Sequence, residues 1–208
     1  MTKTPDSSTI SVRRASPDDA QAIAEVGVAG WQAAYRGILP AGYLRGLNVV
    51  AREVAWRMRL ESDDDDMAPS WVADRAGRAI GFVASGPPRD DDLQPAEGSP
   101  RIDGSPPPAA EIYAIYVQPD AWRSGAGRAM LSTAVQEWRQ RGTTGLVLWV
   151  LEANAAGRAF YEHVGWRPDG GRQDIDLGGV TVTEVRYRFQ ELPLGWSDTL
   201  SNSSFREG

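Results

Sequence analysis

The stretch that decides the fold is EIYAIYV (111–117), QPDAWRSGAG (118–127) and RAMLSTAVQEWRQRG (128–142). Its first segment is an apolar run of strand type and length. Its last repeats Leu131, Ala134, Val135 and Trp138 at i, i+3, i+4 and i+7, an amphipathic helix that Gly142 closes. Gly125 and Gly127 lie between, so the order is strand, glycine loop, helix. The first turn of a helix offers unpaired N–H groups and a partial positive charge, and the glycines remove side chains that would keep an anion away. Taken alone, Gly-Ala-Gly also suits a plain tight turn entering a helix. Two phosphate-binding classes fail outright. A dinucleotide fingerprint needs a third glycine where Met130 stands, and a P-loop needs Gly-Lys-Ser/Thr, whereas Lys3 is the sole lysine.

Upstream, residues 10–14 have the character of a short strand. Ser16-Pro17-Asp18-Asp19 then supplies an N-cap, a proline for the first turn and acids against the helix dipole. The helix so started runs to about residue 34, with Ile23, Val26, Gly30, Trp31 and Ala34 on one face, and a second covers about 49–60. Strands at 71–74 and 79–85 turn around Ala76-Gly77 as a hairpin. Downstream, 146–151 is a continuous apolar run typical of a strand buried on both faces. Asn154 can cap a short helix ending near Gly165, and strands at about 172–177 and 180–189 are joined by Gly178-Gly179.

The 208 residues, 41% of them apolar, suit one domain able to bury roughly 70% of its unfolded surface. Residues 1–9 read as a disordered tail, 10–192 as the domain, 86–110 as a flexible insertion within it, and 193–208 as a polar C-terminal tail. With 22 basic against 28 acidic residues the net charge is -6, the wrong sign for nucleic acid or anionic lipid as partner. The absence of cysteine excludes a disulfide framework and a thiolate nucleophile, and a single histidine leaves little for a metal, so none is expected. No run approaches the ~20 apolar residues of a membrane helix, and the expected location is cytoplasmic.

Residues 117–131, VQPDAWRSGAGRAML, resemble the coenzyme A signature of the GNAT superfamily of N-acetyltransferases, where a strand ends in Val-x-Pro before a glycine-rich pyrophosphate loop. Asn154, followed by Arg158, Phe160, Tyr161, Gly165 and Trp166, resembles the second signature of that family. The likeness spans about residues 10–190 and implies a single α/β (α+β) domain, with a mixed, mostly antiparallel sheet of about six to seven strands flanked by helices. One residue departs from the pattern. The family's Gln or Arg at the head of the glycine loop is Trp122, followed by Arg123.

The resemblance implies acetyl-CoA as cosubstrate and direct transfer to an amine of a small molecule or peptide. Backbone groups of Ile115, Tyr116 and Val117 would receive the pantetheine arm and polarise the acyl oxygen. Arg123, Ser124, Gly125, Ala126, Gly127, Arg128 and Ala129 would hold the pyrophosphate, with Asn154 and Arg158 adding cofactor contacts. Tyr161 matches the general acid, or it packs a short helix against the sheet. Glu111 falls where some members carry a general-base glutamate, or it is a solvated strand-end acid. His163 reads more readily as an ordinary helix residue. Trp31, Tyr35 and Tyr43 would wall an acceptor pocket suited to a cationic or aminated substrate, or they are ordinary helix packing. The acid runs 63–66 and 90–92 could attract polycations or be solvated. A homodimer is one assembly open to such a chain. The competing functions are a catalytically silent acyl-CoA sensor and an interaction scaffold using the acidic loops.

Overall fold

Ser16 opens the first helical segment as predicted: its N–H donates to Asp19 Oδ2 at 2.8 Å, and the Asp19 N–H returns to Ser16 O at 2.9 Å. Pro17–Asp19 form a 3-10 turn, and α1 follows over Ala20–Ala34. The computed structural model describes residues 9–62, 67–93, 109–143 and 145–189. A short helix absent from the sequence reading, α2 (Ala41–Arg45), precedes α3 (Val49–Leu60), which Asn48 caps by accepting from Ala51 N–H at 3.0 Å.

The strands are β1 (Ile10–Arg14), β2 (Ser70–Arg75), β3 (Arg78–Gly86), β4 (Ala109–Val117), β5 (Gly145–Leu151), β6 (Trp166–Asp176) and β7 (Thr181–Phe189). They form one seven-stranded sheet in the order β1-β2-β3-β4-β5-β7-β6, antiparallel except for β4 against β5. The expected mixed, mostly antiparallel α/β sheet is therefore the observed one. The β2–β3 hairpin turns through Ala76 and Gly77, both with positive φ, as a two-residue turn of matching twist demands. β6 begins six residues before the predicted strand. Pro168 and the bulge beyond it are tolerated because β6 is an edge strand.

α4 (Ala126–Gln140) covers one face of the sheet, packing Met130, Leu131, Ala134 and Trp138 onto Ile80, Ile112 and Leu148. Fully buried, Trp138 also donates its indole N–H to Ser85 Oγ at 2.8 Å. On the other face, Ile23 and Val26 of α1 meet Val72 and Phe82. α5 (Ala155–His163) follows β5. A third cluster joins Leu39 and Leu44 to Leu151 and to the β6–β7 hairpin through Ile175, Leu177 and Val182.

The insertion predicted as wholly flexible over 86–110 is shorter and partly built. β3 includes Gly86, β4 starts at Ala109, and Asp91–Leu93 form a 3-10 turn. Arg186 of β7 holds this segment, donating to Asp90 at 3.0 Å and to Asp92 at 2.7 and 2.8 Å, and it also pairs with Asp169 at 2.9 Å. Trp149 Nε1 adds a bond to Asp90 at 3.0 Å. Asp90 and Asp92 are thus neither a free solvated run nor a lure for polycations; the sequence reading failed because their cation lies 94 positions or more away. The rest of the insertion, both tails and the acid run 63–66 lie outside the described residues.

Candidate active site

β4 and β5 pair over only four positions, from Ala109↔Gly145 to Ile112↔Leu148, although both strands continue. The cause is visible on the other edge of β4. Ala84 faces Ala114 while Ser85 faces Ile112, leaving Tyr113 as the extra residue of a bulge that bends the strand. Ile115, Tyr116 and Val117 consequently turn an edge without a β5 partner toward the gap. Such backbone groups are fixed and polar, and a bound chain can use them.

α4 begins directly below this gap. Gly125, its N-cap, has φ +89, and a Cβ built there would meet nothing within 4 Å, so open space lies in front of the helix. The N–H groups of Ala126, Gly127 and Arg128 have no acceptor within the helix. Arg123 takes φ 62, a left-handed conformation that costs a non-glycine residue about 1–2 kcal/mol. Arg123 and Arg128 are exposed and make no ion pair among the described residues. An anion placed here meets N–H donors, the helix dipole and two uncommitted guanidinium groups. Trp122, the departure from the family pattern, donates its indole N–H to Val117 O at 2.8 Å and so ties the loop to the end of β4.

On the other side of the gap, Asn154 Oδ1 accepts from Gly157 N–H at 3.0 Å and caps α5 as predicted. Arg158 turns inward, bonding Tyr187 Oη at 3.0 Å and Glu152 O at 3.3 Å. The Tyr161 ring packs on Phe160, Tyr187 and Trp166 at 5.4, 6.1 and 6.5 Å between centroids. Its hydroxyl has no hydrogen-bond partner among the described residues. Burial, with the nearby Tyr35, pushes that hydroxyl well above the ordinary phenol range, so it is held neutral and able to donate. His163 is exposed at the end of α5.

Of the two readings of Glu111, the solvated strand-end acid is the one its surroundings contradict. Glu111 is the third residue of β4, fully buried, and not a solvated strand end. Arg89 grips it: the backbone N–H donates to Oε2 at 2.9 Å, Nε to Oε1 at 3.1 Å, and Nη2 makes a short contact to Oε1. The sequence could not supply Arg89, which lies in the part of the chain read as flexible.

Trp31, Tyr35 and Tyr43 do come together, with Trp31 at 5.0 Å from Tyr35 and 6.3 Å from Tyr43. Tyr35 Oη and Tyr116 Oη are 3.2 Å apart. Gly30 makes the approach of Tyr116 to α1 feasible, since a Cβ there would lie 2.7 Å from its ring. Next to this cluster a groove opens between α1, α3 and β4, in two compartments of about 390 and 160 Å³ that share Trp56, Tyr113 and Ala114. Arg52, Arg59 and Arg89 line it. The sequence reading missed this wall, although Arg52, Trp56 and Arg59 stand at i, i+4 and i+7 of one helix.

Sequence and structure comparisons agree with this fold. The Acetyltransferase (GNAT) family matches residues 33–166. This chain belongs to the GNAT acetyltransferase family. It is 32% identical over 191 residues to the uncharacterized N-acetyltransferase YuaI of Bacillus subtilis, covering 91% of this chain and 94% of that protein. It is 28% identical over 192 residues to the probable N-acetyltransferase Rv2775 of Mycobacterium tuberculosis, covering 90% and 98%. In fold the GNAT chain is similar to the PaiA N-acetyltransferase of Thermoplasma acidophilum, solved in complex with coenzyme A. The TM-score is 0.65 at 19% identity, over 88% of this chain and 99% of that one. The GNAT chain is accordingly an acyltransferase. Among its described residues no group of three or more His, Asp or Glu side chains could hold a metal, and no helix is long and apolar enough to cross a membrane.

Proposed function

We propose that this enzyme moves the acetyl group of acetyl-CoA directly to a primary amine of a small molecule or peptide. The observation that carries the reading is the gap where β4 leaves β5, with the glycine-opened start of α4 on one side and Tyr161 on the other. Acetyl-CoA, when bound, supplies an activated thioester. The N–H groups of Ala126, Gly127 and Arg128, with Arg123, Ser124 and Ala129 around them, hold its pyrophosphate, and Gly125 leaves the approach open. Ile115, Tyr116 and Val117 offer fixed backbone groups that align the arm and polarise the acyl carbonyl. Asn154 and Arg158 brace the helix that carries Tyr161.

A protonated alkylamine is not a nucleophile, so its proton must leave before attack. Glu111 takes that proton through water once the Arg89 side chain, 64% exposed, swings toward solvent. Tyr161, kept neutral by its surroundings, protonates the departing sulfur. Trp31, Tyr35 and Tyr43 close the acceptor side. Titration calorimetry with acetyl-CoA, followed by release of free thiol across a panel of amines, tests both halves. Binding without thiol release on any amine would leave a silent acyl-CoA sensor. Failure to bind acetyl-CoA would overturn the proposal altogether.

A further inference from the structure

The groove beside Tyr116 has a charge opposite to that of the whole chain. Three guanidinium groups line it, and no carboxylate does. Arg89 is neutralised by Glu111. Arg59 lies over the rings of Trp56 and Tyr113 at 5.7 and 5.6 Å and donates to Ala68 O and Ser85 O at 2.9 and 3.2 Å. Arg52 is different. Its guanidinium carbon lies over the Trp31 ring at 5.3 Å, it has no acid partner among the described residues, and its neighbour Glu53 is taken by Arg57 at 3.3 Å. The field of Arg52 reaches Tyr116, whose hydroxyl it pulls downward against a larger rise from burial. The remaining surface is aromatic, from Trp31, Trp56, Phe82, Tyr113 and Tyr116.

Resting on the acyl-transfer reading above, we infer that the acceptor is a small amine with a flat apolar body and a carboxylate, its carboxylate seated on Arg52 and its amine directed toward Tyr116. A guanidinium fork matches a carboxylate in two parallel hydrogen bonds, and the contact with Trp31 holds that fork at the wall of the groove. The aromatic lining takes the body. A net positive wall also disfavours the ammonium form of the incoming amine, which lowers its pKa and raises the nucleophilic fraction. Polycationic acceptors are repelled by the same wall.

The experiment pairs amines that differ only in the carboxylate: phenylalanine against phenethylamine, and tyrosine against tyramine. Each is assayed by thiol release, with calorimetry of acetyl-CoA alongside. The carboxylate member of each pair is expected to have a kcat/KM at least about 10-fold higher. In Arg52→Gln the KM for the carboxylate member rises about 10 to 100-fold and the ratio within a pair falls toward one, whereas Arg52→Lys keeps part of the preference. Equal or better turnover of phenethylamine and tyramine by the parent enzyme overturns the inference, as does an Arg52→Gln variant that retains the full preference. Acetyl-CoA binding with no acetylation of any carboxylate member also overturns it. Each of those three results leaves the acyl-transfer reading standing as long as some amine in the panel releases thiol. Failure to bind acetyl-CoA at all strikes that reading instead.

Discussion

The hydroxyls of Tyr35 and Tyr116 meet at 3.2 Å across the interface between α1 and the unpaired half of β4. Both belong to one electrostatic group with Tyr161: Tyr35 raises the hydroxyls of Tyr116 and Tyr161, and Tyr161 adds to the rise at Tyr116. Desolvation is the largest cause for each of the three. Phenols in such a group resist ionisation together, so the site stores protons and not phenolate charge.

Tyr161→Phe removes one donor and almost no volume. Its kcat is expected to fall by roughly 10 to 1000-fold, with a modest change in KM for acetyl-CoA. The raised hydroxyl also fixes the pH dependence. An acid is competent below its pKa, so in the parent no descending limb from Tyr161 should appear between about pH 7 and pH 10. Parental turnover by the phenylalanine variant would make Tyr161 a packing residue.

Gly127 separates two ways of losing the cofactor. A Cβ there would lie 3.1 Å from the Phe160 ring, a contact that a small shift of that ring relieves. Gly127→Ala should therefore bind acetyl-CoA within about 10-fold of the parent. Gly127→Asp adds a charge where the pyrophosphate is proposed to sit, and binding should be lost while the melting curve stays cooperative. Calorimetry giving the same Kd for the aspartate variant would remove the pyrophosphate from this loop.

Much of this frame was legible because it depends on local signals. Ser16 and Asn154 mark helix starts, Gly178-Gly179 marks a hairpin, and Gly125 sits where only a left-handed residue opens α4. The sites that escaped depend on partners remote in sequence. Glu111 takes its character from Arg89 and Asp90 from Arg186, at separations of 22 and 96 residues. Trp122 departs from the motif, and its indole reaches back five residues to Val117 O. The exposed stripe of Val50, Val54 and Met58 on α3 misleads in the opposite sense, since the apolar face of that helix turns outward and its arginines line the groove.

Asp19 gives the stability of the domain an acid-side slope. Hydrogen bonds from Arg13 hold its carboxyl below the usual range, with Ser16 assisting. A depressed folded pKa contributes stability that is complete above the unfolded value, near 3.9, and disappears as pH falls through the lower folded value. Arg13 is nearly half exposed, so solvent screening reduces the contribution to about 1 kcal/mol. Asp19→Asn should melt below the parent at pH 7, and the gap should close as the pH falls below about 4, through the depressed folded value. A gap independent of pH would assign the loss to the helix cap alone.

Arg186 provides a test of how far the insertion is built into the domain. Its side chain is 10% exposed, and the carboxylates of Asp90 and Asp169 that it joins are 16% and 14% exposed. Arg186→Met would leave the largely buried Asp90 without a cation and Asp169 with Arg188 alone at 3.4 Å, a loss of about 3 kcal/mol in denaturant melts. Asp92, at 60% exposure, sits at the rim, and Asp92→Asn should cost little. The same boundary governs deletions. Replacing 94–108 by a short glycine-serine turn should change stability slightly, because closure entropy grows slowly with loop length and that stretch has few apolar anchors. Extending the replacement to residue 87 removes Arg89, Asp90 and Asp92 together, leaving Glu111 buried and unpaired, and should cost at least as much as Arg186→Met. Because Arg186 and Asp90 act on one another, the longer replacement combined with Arg186→Met should cost less than the sum of the two. Additive losses would mean that Arg186 stabilises β7 through contacts other than Asp90 and Asp92.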